Sequence, residues 1–227
     1  MTNIADNLKA IHQDIINACN NANRSSATVS LLAVSKTKPI SLIQQAYDAG
    51  QRHFGENYVQ ETVDKVQQLA HLTDITWHFI GPIQSNKTRL IAENVAWVHS
   101  IDRLKTAKRL NEQRDSNIIP LNVCLQVNIS GEESKSGATI DEIAELAEFI
   151  NNCANLTLRG LMAIPAKGND ETTRQSFRKM QTLFNQLQHQ YPSVDTLSMG
   201  MSNDMNIAID CGSSMIRVGT AIFGARD

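Results

Sequence analysis

The apolar positions near the start of the chain recur with a helical period. Ile4, Leu8, Ile11, Ile15 and Ala18 follow at spacings of four, three, four and three, marking one face of an opening helix. From there, short β-rich apolar runs alternate with longer amphipathic segments to the end. The runs predict strands near 29–36, 52–55, 76–80, 96–100, 121–129, 157–164, 196–199 and 215–218. The segments between them predict helices near 41–49, 57–69, 84–93, 103–114, 139–151, 170–190 and 203–210. Ile140, Ile143, Ala144, Ala147 and Ile150 form the predicted inner face of the helix at 139–151. Phe177, Met180, Phe184, Leu187 and Tyr191 form that of the longest helix, at 170–190. After the last strand, a short final helix can begin in Gly219–Gly224.

Strands alternating with helices imply a parallel sheet, and eight of them match the closure number of a (β/α)8 barrel. The expected fold class is α/β: a single (β/α)8 TIM-type barrel over residues 1–227, with an additional N-terminal helix. An open doubly wound sheet is the alternative, but it predicts a Gly-rich dinucleotide turn after an early strand, and none is present. A chain of 227 residues fits one such barrel and buries a sizeable core.

Composition narrows the function. The chain is 41% hydrophobic and 19% charged, with a formal net charge of −2, so it lacks the basic excess of a nucleic-acid binder. Cys19, Cys124, Cys153 and Cys211 are scattered, without a CxxC pair, and read as reduced, mostly buried thiols. The N-terminus lacks a signal-peptide pattern and no apolar run approaches transmembrane length. A soluble, cytoplasmic protein is expected, with neither a membrane nor nucleic acid as partner.

The candidate chemistry begins at Lys36, at the end of the run Val29-Ser30-Leu31-Leu32-Ala33-Val34-Ser35. A lysine at the carboxyl end of a buried strand is partly desolvated; this favours the neutral amine, the form that attacks a carbonyl. Its bland reading is a lysine leaving the strand for solvent. In a barrel, active sites gather at the carboxyl ends of the strands, and phosphate commonly binds after strands seven and eight. After the seventh comes Ser198-Met199-Gly200-Met201-Ser202, where Ser202 supplies a hydroxyl and a helix start supplies free N–H groups. After the eighth comes Arg217-Val218-Gly219-Thr220, where Gly219 lets the backbone approach a ligand closely. A helix cap and an ordinary glycine turn account for each segment taken alone.

Arg217 and Val218 should point to opposite sides of the last strand. A buried arginine needs a partner, either a structural salt bridge or a ring nitrogen or anion of a bound cofactor. Asn57 closes the second strand as a ligand contact or a helix cap, capping being the commoner role. His78 in the third is an acid/base group or a hydrogen-bonded core histidine. No catalytic triad and no histidine pair at metal-ligand spacing is present, so no metal site is expected.

The segments AVSKTKP at 33–39, FGENYVQE at 54–61, WHFIGPIQSNK at 77–87, HSID at 99–102, VNISGEESKSG at 127–137 and GLMAIP at 160–165 resemble the pyridoxal phosphate homeostasis protein family. So do LSMGMSNDMNIAI and the closing SSMIRVGTAIFGARD. The resemblance spans the chain and implies the barrel of the alanine racemase N-terminal domain. It implies that Lys36 carries pyridoxal 5′-phosphate as a covalent Schiff base, and that Ser202, Gly219 and Thr220 hold the phosphate. Arg217 would face the pyridine nitrogen, with Asn57 and His78 as pocket residues and Ser35, Ser198 and Met201 as neighbours. The implied role is intracellular homeostasis of this vitamin B6 cofactor without turnover of its own, with pyridoxal-phosphate-dependent apo-enzymes as partners and a monomeric state.

An amino-acid racemase is the rival, since racemisation by two bases needs one on each face of the cofactor. Alanine racemases take the second base, a tyrosine, from a further domain that has no counterpart here. Tyr47 and Tyr191 lie on predicted helices, leaving Tyr58 as the candidate. A sugar-phosphate aldolase would also use a lysine and a phosphate cup, but Arg217 and the family motifs speak against it.

Overall fold

The structure is a computed structural model that describes residues 3–132, 136–166 and 168–225. Part of the GEESKSG segment and the last two residues of the closing motif lie outside these. The strands are β1 (Ser30–Val34), β2 (His53–Glu56), β3 (Thr76–Phe79), β4 (Trp97–Ile101), β5 (Leu121–Gln126), β6 (Leu156–Met162), β7 (Thr196–Ser198) and β8 (Met215–Val218). They pair in parallel in sequence order, and β8 returns to β1 with Leu32 opposite Arg217, so the barrel is closed. The expected (β/α)8 architecture is the observed one.

The helices are α1 (Ile4–Asn21), α2 (Ile40–Asp48), α3 (Val59–Gln68), α4 (Thr88–Asn94), α5 (Leu104–Gln113), α6 (Ile140–Asn151), α7 (Asp170–Gln190), α8 (Met205–Asp210) and α9 (Thr220–Phe223). Among the described residues none is long and apolar enough to cross a membrane. Caps fix several starts: the Asn3 carboxamide accepts from the first amides of α1, and Thr139 with Glu142 forms a capping box on α6. Among the described residues the unit after β8 carries the four-residue α9, too short to cover a strand pair. Helix α1 packs against α2, α8 and α9 and takes that place. Its five predicted face residues are all buried, each large one stabilising the fold by about 1.5–3 kcal/mol.

On α6 the inner face is rotated from the expected one. Ile143, Leu146, Ala147 and Ile150 are buried, whereas Ile140 and Ala144 are exposed. Ile140 is the first helical residue, and the buried stripe starts one turn later and runs through Leu146. On α7 the expected Phe177, Met180, Phe184 and Leu187 are buried, and Tyr191 caps the end.

Alternation along the strands separates two interiors. Ala33, Phe54, Val98 and Val218 belong to the main core between sheet and helices. Trp97, Cys124 and Met162 form a small separate cluster inside the barrel. The space beside it is polar, filled by His78, His99, Ser198 and Arg217, all buried.

Candidate functional site

The strand expected to run to Lys36 stops at Val34. Lys36 sits two residues on, half-buried, in a turn closed by the Lys38 N–H donating to the Ser35 carbonyl (3.1 Å). The turn bends because Thr37 adopts φ +61°, a left-handed conformation that a β-branched residue rarely adopts. A buried ionic cluster holds it there. The Thr37 N–H donates to Glu61 Oε1 at 2.6 Å. Lys65 on α3 donates to Glu61 Oε1 (2.6 Å), to Glu56 Oε1 (2.8 Å) and to the Ser35 carbonyl (2.7 Å). Ser35 Oγ donates to Glu56 Oε1 at 2.6 Å. Burial pushes the Glu56 carboxyl up, and Lys65 opposes that shift. The lysine-bearing turn is therefore pinned from β2 and α3 at once.

Asn57 follows β2 at the same end of the barrel. It does not cap α3, whose N-cap is Tyr58, without a side-chain cap bond. Its Oδ1 is buried and has no hydrogen-bond partner among the described residues. A buried orphan acceptor costs about 1–3 kcal/mol, and this one is open to a donor from a ligand.

Two loops meet beside them. Gly200, after β7, has φ +96°, and a Cβ there would lie 2.4 Å from that of Ala208, so only glycine makes the bend. Its carbonyl accepts from the Arg217 N–H at 3.0 Å, tying the β7 loop to β8. The helix expected from 203 starts later, at Met205, because Asp204 turns its carboxylate back onto the Met201 N–H (2.6 Å). Ser202 stands exposed in this turn. Across from it, Gly219 passes β1 so closely that a Cβ would lie 3.1 Å from the Val34 carbonyl. Exposed Thr220 then opens α9, whose first N–H groups have no helical acceptor.

Arg217 points inward and Val218 outward, on opposite sides as the alternation requires. The guanidinium is 4% exposed. It donates to the Ser198 carbonyl (2.7 Å), to Ser198 Oγ (2.9 Å) and to the Ala163 carbonyl (3.0 Å). Among the described residues it joins no ion pair. Burial lowers its pKa to about 10, Asp204 working against the shift from farther off. The salt-bridge alternative is thus excluded within the described residues, and a buried positive charge faces the barrel mouth uncancelled.

His78 is set apart from the mouth. It is fully buried, stacked on Trp97, with one ring nitrogen 3.0 Å from His53 and the other 2.9 Å from His99. With both nitrogens engaged, it meets a ligand only through others. The chain of histidines could be glimpsed in the sequence only as His53, His78 and His99 on three successive predicted strands. The Lys65–Glu56–Glu61 cluster gave no signal, since a lysine on an amphipathic helix reads as a solvent-facing one. No group of histidine, cysteine and acidic residues suited to a metal occurs among the described residues.

Tyr47 bonds Asp74 just before β3 and Tyr191 ends α7, so both lie at the opposite, amino-terminal end of the strands. Tyr58, 55% exposed beside Asn57, is the one tyrosine of the chain at the mouth.

Residues 7–227 match the model of the alanine racemase N-terminal domain. The chain is 57% identical to a pyridoxal phosphate homeostasis protein of Vibrio alginolyticus, covering 100% of this chain and 99% of that one. Among solved structures it resembles PipY of Synechococcus elongatus PCC7942 with PLP bound, at 35% identity and a TM-score of 0.81, covering 97% of this chain and 100% of that one. Alanine racemase from Corynebacterium glutamicum shares the fold at 17% identity and a TM-score of 0.68, with 96% of this chain matching 62% of the racemase. With a full-length relative this similar and a family model spanning nearly every residue, the chain belongs to the pyridoxal phosphate homeostasis proteins, built on the barrel of the alanine racemase N-terminal domain.

Proposed function

We propose that this protein binds pyridoxal 5′-phosphate at the mouth of its barrel through Lys36. It would serve the cytoplasmic supply of that cofactor to pyridoxal-phosphate-dependent apo-enzymes, without turnover of its own. The observation that carries the reading is Arg217, a buried guanidinium held by neutral acceptors and without a counter-charge among the described residues. Such a group costs stability unless a ligand completes it. The orphan Asn57 Oδ1 at the same mouth, and the names of the relatives, support the same ligand.

The cofactor would bring an aldehyde and an electron-withdrawing pyridine ring. Lys36 would be the residue that meets the aldehyde, its side-chain amine supplying the nucleophile for covalent attachment. Ser202, Gly219 and Thr220 bracket the phosphate with hydroxyls and the free N–H groups that open α9. Arg217 donates to the ring nitrogen. Even with its pKa lowered to about 10 it stays charged at neutral pH, so it gives the ring no proton and leaves it a poor electron sink. Asn57 supplies an acceptor beside the ring, while His78 acts at one remove.

The exposure of Tyr58 supports carriage without turnover. A racemase needs a second base, and the only tyrosine at the mouth is the exposed Tyr58. The test is exchange of the α-hydrogen of L- and D-alanine in deuterated water, read by NMR with the loaded protein. Retention of the hydrogen over many hours supports a carrier. Exchange with multiple turnovers per second would make the protein an enzyme.

A further inference from the structure

The hydrogen bonds of Arg217 continue through the barrel. Ser198 Oγ, which accepts from Arg217, lies 3.0 Å from His99 Nδ1. His99 Nε2 lies 2.9 Å from His78 Nδ1, and His78 Nε2 lies 3.0 Å from His53 Nδ1. These side chains come from β8, β7, β4, β3 and β2. Ser198, His99 and His78 are fully buried, whereas His53, the first residue of β2, is half-buried at the floor. One line thus joins the guanidinium under the mouth to the opposite end of the barrel.

Arg217 sets the direction of the line. A guanidinium only donates, so the Ser198 oxygen accepts from it. The hydroxyl has one hydrogen to give, and its remaining partner among the described residues is His99 Nδ1. A neutral His99 that accepts at Nδ1 carries its hydrogen on Nε2 and donates it to His78 Nδ1. The same logic makes His78 an Nε2–H ring donating to His53 Nδ1. One tautomer, repeated three times, satisfies every bond.

The surroundings keep the line uncharged. Burial drives the protons off His78 and His99, the charge of Arg217 adding to the effect at His99. Among the described residues the other charged groups that bear on it are Asp204, which acts on Arg217 from farther off without pairing with it, Arg159, whose guanidinium lies over the Trp97 ring, and Asp195, which pairs with Arg159 at the floor. The Cys124 thiol inside the barrel is kept protonated by burial. A carboxylate in the place of Ser198 would hold Arg217 equally well but would cancel its charge. A hydroxyl backed by neutral imidazoles fixes the guanidinium and leaves the charge for the ligand.

We infer that His53, His78 and His99 are positioning residues that act through Ser198, orienting Arg217 toward the ring nitrogen of the cofactor while leaving its charge uncancelled. The inference rests on the cofactor reading above, but its first test does not. Imidazole 15N NMR of the cofactor-free protein at pH 7 reads the tautomers directly, and three neutral Nε2–H rings are expected. An Nδ1–H tautomer or a charged ring at His78 or His99 would overturn the line.

The second test cuts it. His99→Phe keeps a ring of similar volume and removes both hydrogen bonds. Its affinity for pyridoxal 5′-phosphate should fall about fivefold to tenfold and its visible absorption maximum should move, with His99→Gln, whose amide both accepts and donates, recovering part of each. Should His99→Phe not fold, Ser198→Ala removes a single oxygen and carries the same expectation. Unchanged affinity and spectrum in a folded variant would show that the histidines merely fill the barrel. Failure of the wild type to take up the cofactor at all would instead remove the cofactor reading, and with it the role given to the line, whatever the tautomers prove to be.

Discussion

Arg217 and Ser198 are joined twice: one terminal nitrogen of the guanidinium donates to the serine's carbonyl at 2.7 Å and to its hydroxyl at 2.9 Å. The pair fixes a positive charge on the inner wall of the barrel, near the carboxyl ends of β7 and β8, where their loops converge. Its partners are all neutral, so its role is to be sought in what it offers a ligand.

Replacing the charge tests that directly. Arg217→Met is expected to raise the dissociation constant for pyridoxal 5′-phosphate by roughly tenfold to a hundredfold, matching the ~1.5–3 kcal/mol of a hydrogen bond from a charged group. The measurement is a fluorescence or absorbance titration of the cofactor-free protein. An unchanged constant in a folded variant would assign Arg217 to the scaffold.

The ionic cluster beneath the Lys36 turn makes a separate prediction. Lys65 is 5% exposed and Glu56 fully buried, so removing one partner strands the other. Lys65→Met should cost about 3–5 kcal/mol in urea unfolding, and adding Glu56→Gln should recover much of that loss. If Lys65→Met alone is neutral, the cluster does not hold the turn.

The histidine line should make the fold sensitive to acid. His99 is lowered to about 3 and His78 well below 6.5, both chiefly by burial. In the unfolded chain both take up protons near the ordinary value of 6.5. Between those limits the unfolded state binds more protons, so their contribution to stability is complete above pH 6.5 and is lost as pH falls toward 3. The expected slope approaches about 1.4 kcal/mol per pH unit for each buried histidine. Urea midpoints at pH 7, 6 and 5 measure it, and His99→Gln should make the dependence shallower. A flat profile would place a charged ring in the barrel.

Much of this was legible in the pattern of apolar positions. The eight strand runs, the opening face Ile4–Ala18 and the opposite facing of Arg217 and Val218 all depend on local periodicity, which the sequence displays, although only the structure shows that Arg217 is the inward one. What escaped depends on contacts between distant segments. The strand at Lys36 ends early because Glu61 and Lys65, on a helix beyond the next strand, capture its turn. The helix after β7 starts late because Asp204 folds back on Met201. His78 alone reads as an acid/base group or a hydrogen-bonded core histidine; only the closed barrel brings it between His53 and His99. Non-local hydrogen bonds leave no period along the chain.

The proposed function stands on Lys36 as the covalent anchor. The most direct measurement is borohydride reduction of protein incubated with pyridoxal 5′-phosphate, followed by peptide mapping, with Lys36→Ala alongside. A yellow protein bleached by borohydride, with a pyridoxyl group on Lys36, is expected. No adduct is expected in Lys36→Ala, which should keep its melting temperature within a few degrees, about 1 kcal/mol for a half-buried loop residue. A colourless, unlabelled wild type, or a single labelled peptide that persists in Lys36→Ala, would contradict this assignment.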